Sequence, residues 1–416
     1  MARAHALLLE KIHPTAEEEL GRADIAVHRI DRGLSEGELI EALSSLPGGE
    51  PVMVGIRSKT HVTTRVFEAV PRLAAIGAFC IGTDQIDLVD ARRRGVGVFN
   101  APFSSTRSVA ELVLAEIIML SRQIFPRNKA AHEGKWVKTA SGAHEVRGKT
   151  LGIIGYGHIG SQLSILAEAL GMNVLFHDID NRLPLGNATP AVGLADLLSR
   201  SDFVTLHVPD TELTRGMIGR TELGQLKRGA YLINASRGRV VDIAALNEAL
   251  DGGHVAGAAI DVFPREPADD TEPFQSELRG RDNVILTPHI GGSTLEAQAS
   301  IGREVAFALI RWLQSGRTIG CVTLPQLDVP LPESHKSAPA SRIVNVHQNV
   351  PGVLSSINHV IADSGINIVG QSLGTFEDVG LLYIDIPVAS GDARAAELRN
   401  SIAALEASIR TRVVAS

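Results

Sequence analysis

Three polar residues stand shortly after three strand-like runs of this 416-residue chain, and their types suit acid–base chemistry on a small acid. Arg237 follows YLINAS, Glu266 follows AGAAIDVF and His289 follows NVILTP. Ligands of open α/β sheets bind outside the carboxyl ends of the strands, where these residues fall. A cation can hold a carboxylate, an imidazole can move a hydroxyl proton, and a second carboxylate can orient the imidazole. Taken singly, each is also a common loop residue; their joint position predicts a dehydrogenase acting on a 2-hydroxy acid.

A glycine-rich turn lies earlier in the chain. Gly155, Gly157 and Gly160 stand between the apolar run LGIIG and a helical pattern. The first glycine permits a tight turn, the second lets the backbone approach a pyrophosphate, and the third lets the helix pack on the strand. The next strand-like run ends at Asp178, whose carboxylate can accept both ribose hydroxyls and would repel a 2′-phosphate. The pattern predicts a site for NAD rather than NADP; the alternative is a glycine turn with no ligand.

The composition limits the classes of partner. The chain has 44% hydrophobic and 21% charged residues and a net charge of -7, which favours neither nucleic acid nor an anionic membrane surface. Cys80 and Cys321 are far apart, so neither a disulfide framework nor a cysteine-rich metal site is expected. No His/Asp/Glu cluster shows metal-ligand spacing. The apolar run near the N-terminus is too short for an export signal, and we expect a soluble, cytoplasmic protein.

Strand-like and helical runs alternate from residue 51 to about 290, which is typical of doubly wound parallel sheets. Long helical patterns at 103–122 and after TPHIGGST are predicted to cross between two lobes, and a proline-rich stretch at 321–340 is predicted to be a linker. Residues 341–416 have the order βαββαβ, a ferredoxin-like arrangement. The predicted domains are a substrate-binding domain (4–104 and 292–330), a dinucleotide domain (105–291) and a small C-terminal domain (339–416).

The motifs GYGHIG, NASRG, DVFPREP and TPHIGGST resemble those of the D-isomer-specific 2-hydroxyacid dehydrogenases. With IRSKT, IGTDQIDL and NAPFSSTRSVAEL, the resemblance runs from about residue 4 to the C-terminus, where the last segment resembles an ACT regulatory domain. Within the family it points to enzymes that oxidise D-3-phosphoglycerate to 3-phosphohydroxypyruvate at the start of L-serine biosynthesis. The resemblance implies two Rossmann-like domains plus an ACT domain, NAD as cofactor, a homotetramer and feedback inhibition by L-serine.

The resemblance also implies roles for individual residues. Arg237 would bind the substrate carboxylate, His289 would be the acid/base and Glu266 its partner, as the residue types alone suggest. NAD would contact Gly155, Gly157, His158, Ile159, Gly160, Asp178, Ala235 and Asp261. Substrate would contact Arg57, Ser58, Lys59, Ser105 and, from a neighbouring subunit, Lys138. Serine would contact His347, Asn349 and Asn367, and Trp136 would pack across a subunit interface.

Two positions depart from the family pattern near the expected phosphate end of the substrate. Ser105 stands where Asn is expected, and Lys59 stands where Arg is expected. Lysine supplies charge without the bidentate fork that suits phosphate. The alternatives to this function are a glycerate, hydroxypyruvate or 2-oxoglutarate reductase and an NAD-sensing corepressor-like binding protein. A side activity that reduces 2-oxoglutarate is also expected within the family. In the C-terminal domain, the alternative is that the polar residues are ordinary turn and cap residues.

Overall fold

The computed structural model describes residues 4–267, 271–333 and 339–415. The chain divides into two compact units, a first unit of Met1–Pro102 with Gln298–Ser416 and a second unit of Phe103–Ala297. The three-domain boundaries expected from the sequence stay a prediction, and residue 416 of the expected C-terminal domain lies outside the described residues. In the part of the chain that the structure describes, no helix is both long and apolar enough to cross a membrane.

The first unit opens with a five-stranded parallel sheet flanked by helices. Its strands are β1 (Ala4–Leu9), β2 (Ile25–Ile30), β3 (Val52–Ile56), β4 (Leu73–Ala78) and β5 (Gly97–Phe99), and its helices are α1 (Pro14–Arg22), α2 (Glu36–Ser44), α3 (Thr64–Ala69) and α4 (Leu88–Arg93). The strand order is β2-β1-β3-β4-β5, so the direction of winding changes between β1 and β3. All six residues of β1 are buried, with Leu8 in one core and Leu7 in the other, as expected for a parallel strand covered on both faces.

The second unit contains a seven-stranded parallel sheet of order β12-β11-β10-β9-β6-β7-β8, in which winding changes between β6 and β9. Its helices are α5 (Thr106–Arg122), α6 (Ile124–His132), α7 (His158–Ala169), α8 (Leu194–Arg200), α9 (Arg220–Gln225) and α10 (Ile243–Asp251). Its strands are β6 (Thr150–Ile154), β7 (Asn173–His177), β8 (Thr189–Pro190), β9 (Phe203–Leu206), β10 (Ala230–Asn234), β11 (Val255–Ile260) and β12 (Val284–Leu286). Helix α11 (Leu295–Ser315) begins here, and most of it belongs to the first unit.

The C-terminal part of the first unit is an antiparallel sheet with two helices. Its elements are β13 (Ser341–Gln348), α12 (Val353–Asp363), β14 (Gly370–Phe376), β15 (Val379–Ile386), α13 (Ala393–Ala403) and β16 (Ser408–Ala415), in the sheet order β14-β15-β13-β16. Along β13, Ile343 packs in a core with α12 and α13, while Val344 packs in another core that includes Trp312 of α11. This sheet is therefore covered on one face by its own helices and on the other by the rest of the first unit.

The expected fold class is confirmed: two Rossmann-like parallel sheets precede a ferredoxin-like, ACT-type βαββαβ segment. The helix expected at 103–122 begins three residues later, at Thr106. The stretch expected to be a linker is partly packed, because Cys321 and Leu324 are buried in the core around Trp312. Its residues 334–338 lie outside the described residues. The linker prediction was therefore wrong for the first half of the stretch, because proline content does not show which residues are packed in a core.

Candidate active site

The glycine turn joins β6 to α7 with the geometry that its spacing predicts. Gly155 has a φ of +90°, and a Cβ there would lie 2.3 Å from the His207 carbonyl oxygen. A Cβ on Gly160 would lie 2.3 Å from the Gly155 oxygen, so this glycine lets α7 pack closely on the strand. A Cβ on Gly157 would meet no atom within 4 Å. The backbone at Gly157 therefore faces open space at the start of α7, where helix amides attract phosphate.

Asp178 lies directly after β7, and its carboxylate is fixed by the backbone. Its oxygens accept the Tyr156 amide at 2.8 Å and the Asp180 amide at 2.9 Å. The Arg182 guanidinium lies 3.5 Å from the same carboxylate. A cavity of about 290 Å³ opens beside it, lined by residues of β7 and the following loop together with Pro190. A carboxylate held in one orientation beside a cavity fits the two ribose hydroxyls of a dinucleotide.

Three further residues expected at the cofactor lie on the same unit. His158 is exposed at the first position of α7 and meets the Phe103 ring edge-on, with ring centroids 4.5 Å apart. Ile159 is half-buried and packs against the core beneath α5 and α7. Ala235 is half-buried directly after β10. None of the three is fully buried, so each keeps some surface near the carboxyl ends of the strands.

Arg237 sits in a turn that Asn234 organises. The buried Asn234 side chain accepts the Ser236 amide at 3.0 Å and donates to the Arg237 carbonyl at 3.0 Å. The next residue, Gly238, lies against the backbone of Phe263, because a Cβ there would fall 2.0 Å from the Phe263 carbonyl carbon. The glycine in SRGR thus brings the loop after β10 against the loop after β11. The sequence reasoning missed Asn234, although its place at the end of a buried strand marks it.

Glu266 and His289 form a hydrogen-bonded pair. His289 Nδ1 lies 2.9 Å from one oxygen of Glu266, and the other oxygen accepts the Phe263 amide at 3.1 Å. The His289 side chain remains 45% exposed. His289 also has a φ of +54°, a left-handed conformation that is costly for a residue with a side chain. The structure therefore brings together the acid/base and the carboxylate that the sequence predicted.

The charges around the pair set its protonation. The hydrogen bond to Glu266 raises the pKa of His289 above its ordinary value, against the lowering effects of burial and of Arg237. Burial raises the pKa of Glu266, but the His289 hydrogen bond, the Phe263 amide and the charge of Arg237 together bring that pKa below its ordinary value. The arrangement favours a carboxylate beside an imidazole that readily takes up a proton.

Asp261 has a role that the sequence reasoning missed. Its buried carboxylate accepts the Thr287 hydroxyl at 2.6 Å, the Ile290 amide at 2.8 Å and the Gly291 amide at 2.9 Å. Its own carbonyl accepts the His289 amide at 2.7 Å. These four bonds fix the loop that carries His289 in its left-handed conformation. The side chain expected to line the cofactor site thus holds the candidate acid/base in place.

The candidate substrate residues of the first unit follow β3. Arg57 is half-buried, and Ser58 and Lys59 are exposed in the loop. The loop lies at the carboxyl end of β3, beside the position where winding changes between β1 and β3. Ligands of a sheet with this strand order bind at that position. The three side chains thus occupy the place in the first sheet that the glycine turn occupies in the second.

The remaining substrate candidates, Ser105 and Lys138, differ from one another. Ser105 is 2% exposed at the start of α5, and a Cβ on Gly292 would lie 3.3 Å from its Cβ. Its burial gives it a packing role beneath the loop after His289 and does not favour contact with substrate. Lys138 and Trp136 are exposed, and Trp136 shows 87% of its surface. They line a cleft of about 740 Å³ whose other basic residues are Arg122, Arg127, Lys135 and His144.

The three expected serine-binding residues lie at two opposite ends of the C-terminal sheet and differ in exposure. His347 pairs with Gly380 at the end of β13, whereas Asn367 precedes Gly370, which pairs with Asp385 at the other end. His347 is 3% exposed, its Nδ1 lies 3.0 Å from the Asn345 side-chain oxygen, and burial lowers its pKa. Asn349 is exposed, and its side chain donates to the Glu377 carbonyl at 3.3 Å. Asn367 is exposed in the loop before β14, which begins only at Gly370.

Two segments of the chain match known family models. Residues 114–291 match the D-isomer specific 2-hydroxyacid dehydrogenase, NAD binding domain. Residues 343–410 match the AHAS small subunit-like ACT domain. The first match contains the glycine turn, Arg237 and the Glu266–His289 pair, and the second contains β13 to the start of β16. The two matched segments thus coincide with the candidate active site and the C-terminal sheet.

Whole-chain relatives and solved structures agree with these matches. The chain is 48% identical to D-3-phosphoglycerate dehydrogenase of Escherichia coli K12, covering 98% of this chain and 97% of the relative. It is 47% identical to the protein of that name in Dictyostelium discoideum, covering 98% and 96%. A D-lactate dehydrogenase of Aquifex aeolicus, solved with NAD and lactic acid, is 27% identical with a TM-score of 0.65, covering 77% of this chain and 100% of that one. The chain therefore belongs to the D-isomer-specific 2-hydroxyacid dehydrogenase family of NAD-dependent oxidoreductases.

Proposed function

We propose that the chain catalyses the NAD-dependent oxidation of D-3-phosphoglycerate to 3-phosphohydroxypyruvate, the first step of L-serine biosynthesis. The observation that carries the proposal is the 2.9 Å hydrogen bond between His289 and Glu266, in a loop that Asp261 fixes. The full-length relatives named D-3-phosphoglycerate dehydrogenase support the choice of substrate. The proposal assigns the chemistry to the second unit and the recognition of phosphate to the first.

The second unit has the parts that a bound NAD needs. The open backbone at Gly157 would hold the pyrophosphate, and the Asp178 carboxylate would accept the ribose hydroxyls. His158, Ile159 and Ala235 would line the same site. When bound, NAD⁺ supplies the acceptor for the substrate hydride. The carboxylate of Asp178 would meet a 2′-phosphate with like charge, which favours NAD over NADP.

The acid–base step falls to His289. Its Nδ1 is engaged by Glu266, so Nε2 is the atom that would take the hydroxyl proton of the substrate during oxidation. In the reverse reaction the imidazolium returns that proton, and Glu266 stabilises this charged form. Arg237 would bind the substrate carboxylate through its planar fork and so orient the C2 hydroxyl. The positions of Arg237, Glu266 and His289 in the loops after β10, β11 and β12 support these roles.

The phosphate group of the substrate would be bound by side chains of the loop after β3. Arg57 and Lys59 supply positive charge and Ser58 a hydroxyl donor, on a chain with a net charge of -7. Lysine at position 59 acts as a point charge rather than a fork, so it discriminates by charge more than by geometry. Lys138 of a neighbouring subunit would add to this charge. Ser105 is not part of this set, because it is buried.

The proposal is tested by following NADH absorbance during reduction of competing 2-oxo acids. We expect kcat/KM for 3-phosphohydroxypyruvate to exceed that for hydroxypyruvate, glyoxylate and 2-oxoglutarate by at least about tenfold, the value of one well-placed ionic contact. Equal or higher values for an unphosphorylated acid would make the chain a different D-2-hydroxyacid dehydrogenase. An absence of turnover with every acid would favour a binding protein that only senses NAD.

We infer that L-serine binds to the C-terminal sheet and inhibits the enzyme. The ACT match and the exposed polar residues Asn349 and Asn367 support this assignment. The two asparagines lie at opposite ends of the sheet, so the serine site would form across the interface with a second copy. Serine can inhibit only if it binds two states of the enzyme with different affinities. Asn349→Ala should raise the serine concentration needed for half-inhibition and leave uninhibited kcat unchanged. Unaltered inhibition in both Asn349→Ala and Asn367→Ala would contradict the assignment.

We also infer a homotetramer that uses two different surfaces. Trp136 is 87% exposed beside Val137, which is 50% exposed, and Trp is enriched in protein–protein interfaces. In the C-terminal sheet, β14 is an edge strand whose free side can pair with the same strand of another copy. Sedimentation at micromolar concentration should give a tetramer, and Trp136→Ala should give dimers. A wild-type monomer would contradict both surfaces.

A further inference from the structure

A buried glutamate lies beneath the candidate phosphate-binding loop. Glu10 stands directly after β1 and is 7% exposed. One oxygen of its carboxylate accepts the Thr60 amide at 2.8 Å, and the other accepts the Lys59 amide at 3.0 Å. Both oxygens of the side chain are therefore acceptors, one for each of two successive backbone amides. Nearly fifty residues separate Glu10 from this loop in the chain, so only the fold brings them together.

Glu10 is itself held firmly by its backbone. It has a φ of +59°, and Lys11 after it has a φ of +54°, so two consecutive residues with side chains take the left-handed conformation. The Glu10 amide donates to the carbonyls of Ile30 and Arg32, at 3.1 and 3.3 Å. This conformation turns the carboxylate from the end of β1 across to the end of β3. Strained backbone of this kind clusters at functional sites.

The loop is also held at its other end. The Gln85 side-chain amide donates to the Arg57 carbonyl, and the Cys80 thiol lies 3.6 Å from the same oxygen. The Thr60 hydroxyl accepts the Leu34 amide at 3.1 Å. These contacts fix the Arg57 carbonyl, the Lys59 amide and Thr60 on the protein side of the loop. The side chains of Ser58 and Lys59 remain exposed on the other side.

We infer that Glu10 is a positioning residue that makes this loop recognise an anion through its side chains instead of its backbone amides. The inference rests on the proposed function of the loop. Glycine turns at the position where the winding of a sheet changes, its switch point, bind phosphate with free backbone amides. Such sites accept the phosphate groups of many molecules. Here the amides of Lys59 and Thr60 already donate to Glu10. A substrate phosphate must then be bound by the groups that Glu10 presents, chiefly Arg57 and Lys59.

Glu10 thereby sets specificity without touching substrate. The negative charge of Glu10 beneath the loop repels an anion that does not contact the positive side chains. The loop therefore adds binding energy only for an acid whose second negative charge reaches Lys59. An acid with a single carboxylate, bound by Arg237, gains little there. The loop geometry thus favours a doubly anionic substrate over its unphosphorylated counterpart.

The test compares Glu10→Gln with a matched control. Glutamine keeps one acceptor oxygen and turns an NH₂ group toward the second backbone amide, so the loop loses one of its two anchors. The control is Glu38→Gln on α2 of the same unit, where an exposed carboxylate likewise accepts a backbone amide, that of Ser35 at 2.9 Å. For each variant, kcat and KM are measured for NADH, 3-phosphohydroxypyruvate and hydroxypyruvate, and the midpoint of thermal unfolding is recorded.

For Glu10→Gln we expect KM for 3-phosphohydroxypyruvate to rise about tenfold, the effect of losing one charge-assisted hydrogen bond. KM for hydroxypyruvate, KM for NADH and kcat should stay within about twofold of wild type, because Arg237 and His289 are untouched. Glu38→Gln should leave all four values at the wild-type level. Equal losses for the phosphorylated and unphosphorylated acids, or no loss for either, would overturn the inference.

Two further variants separate this inference from the proposed function. Lys59→Ala should raise KM for 3-phosphohydroxypyruvate; if it does and Glu10→Gln does not, only the inference about Glu10 is wrong. If Lys59→Ala has no effect, the proposed phosphate site is wrong and the inference falls with it. Should Glu10→Gln fail to fold, Glu10→Asp is used, which keeps the charge on a shorter stem and should raise the same KM. If neither folds, Glu10 serves folding alone and the inference is overturned.

Discussion

The two parallel sheets of this protein both change their direction of winding, and the loops at those two places use the backbone in opposite ways. After β6, Gly157 leaves the backbone open at a helix start. After β3, the amides of Lys59 and Thr60 are taken by Glu10. Free amides suit a pyrophosphate that is common to every dinucleotide. Occupied amides leave recognition to side chains, which can distinguish one small acid from another. The same sheet topology can therefore provide affinity for a dinucleotide in one unit and specificity for a small acid in the other.

The comparison places all of the chemistry in the second unit, and His289→Asn should break the reaction most severely. Asparagine can hydrogen-bond but cannot move a proton, so kcat should fall by about 10²–10⁴, the usual contribution of a general acid/base. The loss should be equal for phosphorylated and unphosphorylated acids, because the loop after β3 is intact. Steady-state assays with both acids, and fluorescence titration with NADH, check this. Normal turnover in a variant that still binds NADH would remove His289 from the mechanism.

Arg237→Lys probes the carboxylate, which both kinds of acid share. Lysine keeps the charge and loses the bidentate fork, so kcat/KM should fall about 10–100-fold for every 2-oxo acid. The ratio between 3-phosphohydroxypyruvate and hydroxypyruvate should not change. A selective loss of activity on the phosphorylated acid would mean that Arg237, rather than the loop after β3, contacts the phosphate.

Glu266→Gln tests the electrostatics of the His289 pair through pH. Glu266 raises the pKa of His289, so its neutral replacement should lower that pKa. Reduction of a 2-oxo acid needs the imidazolium, and activity is lost as pH rises through the pKa of His289. The high-pH limb of the kcat/KM profile for reduction should therefore shift down by about one pH unit. A limb that stays in place would show that another group donates the proton.

Two buried glutamates sharpen the comparison between the units. Glu10 has two backbone donors, whereas both oxygens of Glu116 on α5 meet no hydrogen-bond partner among the described residues. Burial, and then the charge of Asp261, raise the pKa of Glu116 from 4.5 to about 8. Between these pH values the folded protein holds a proton that the unfolded chain has released, so the free energy of unfolding falls as pH rises.

Glu116→Gln removes this titration. The variant should be more stable than wild type at pH 8 by about 1–3 kcal/mol, with little difference near pH 5. Urea unfolding at the two pH values measures the change. An unchanged pH dependence in the variant would mean that Glu116 is ionised in the folded protein.

Much of the site could be predicted because its residues stand at strand ends. Arg237, Glu266 and His289 each follow an apolar run, and the spacing of Gly155, Gly157 and Gly160 fixes the order strand, turn, helix. Parallel strands place their carboxyl ends at one edge, so residues distant in sequence converge there without any further information. The proximity of Glu266 and His289 could therefore be expected from the fold class, whereas their hydrogen bond is seen only in the structure.

Other parts depended on long-range contacts that no local pattern records. Strand β1 was missed because a short, fully buried apolar run has no periodicity to separate strand from helix. Glu10 has no local signal in the sequence, since its two donors lie at positions 59 and 60. Ser105 is expected at the substrate from its motif, and only the structure shows that it is buried under Gly292. Tertiary packing decides whether such residues are buried and which residues they contact, and the spacing of residues in the sequence does not record it.

The most direct test of the central comparison measures Gly157→Ala and Lys59→Ala side by side. A methyl group at position 157 meets no protein atom, so this variant should fold normally but weaken NADH binding about tenfold or more by obstructing the pyrophosphate. Its preference for 3-phosphohydroxypyruvate over hydroxypyruvate should stay at the wild-type ratio. Lys59→Ala should reverse the pattern, with that ratio reduced and KM for NADH unchanged. If Gly157→Ala altered the ratio, or Lys59→Ala weakened NADH binding instead, the assignment of cofactor and substrate to the two switch points would be contradicted.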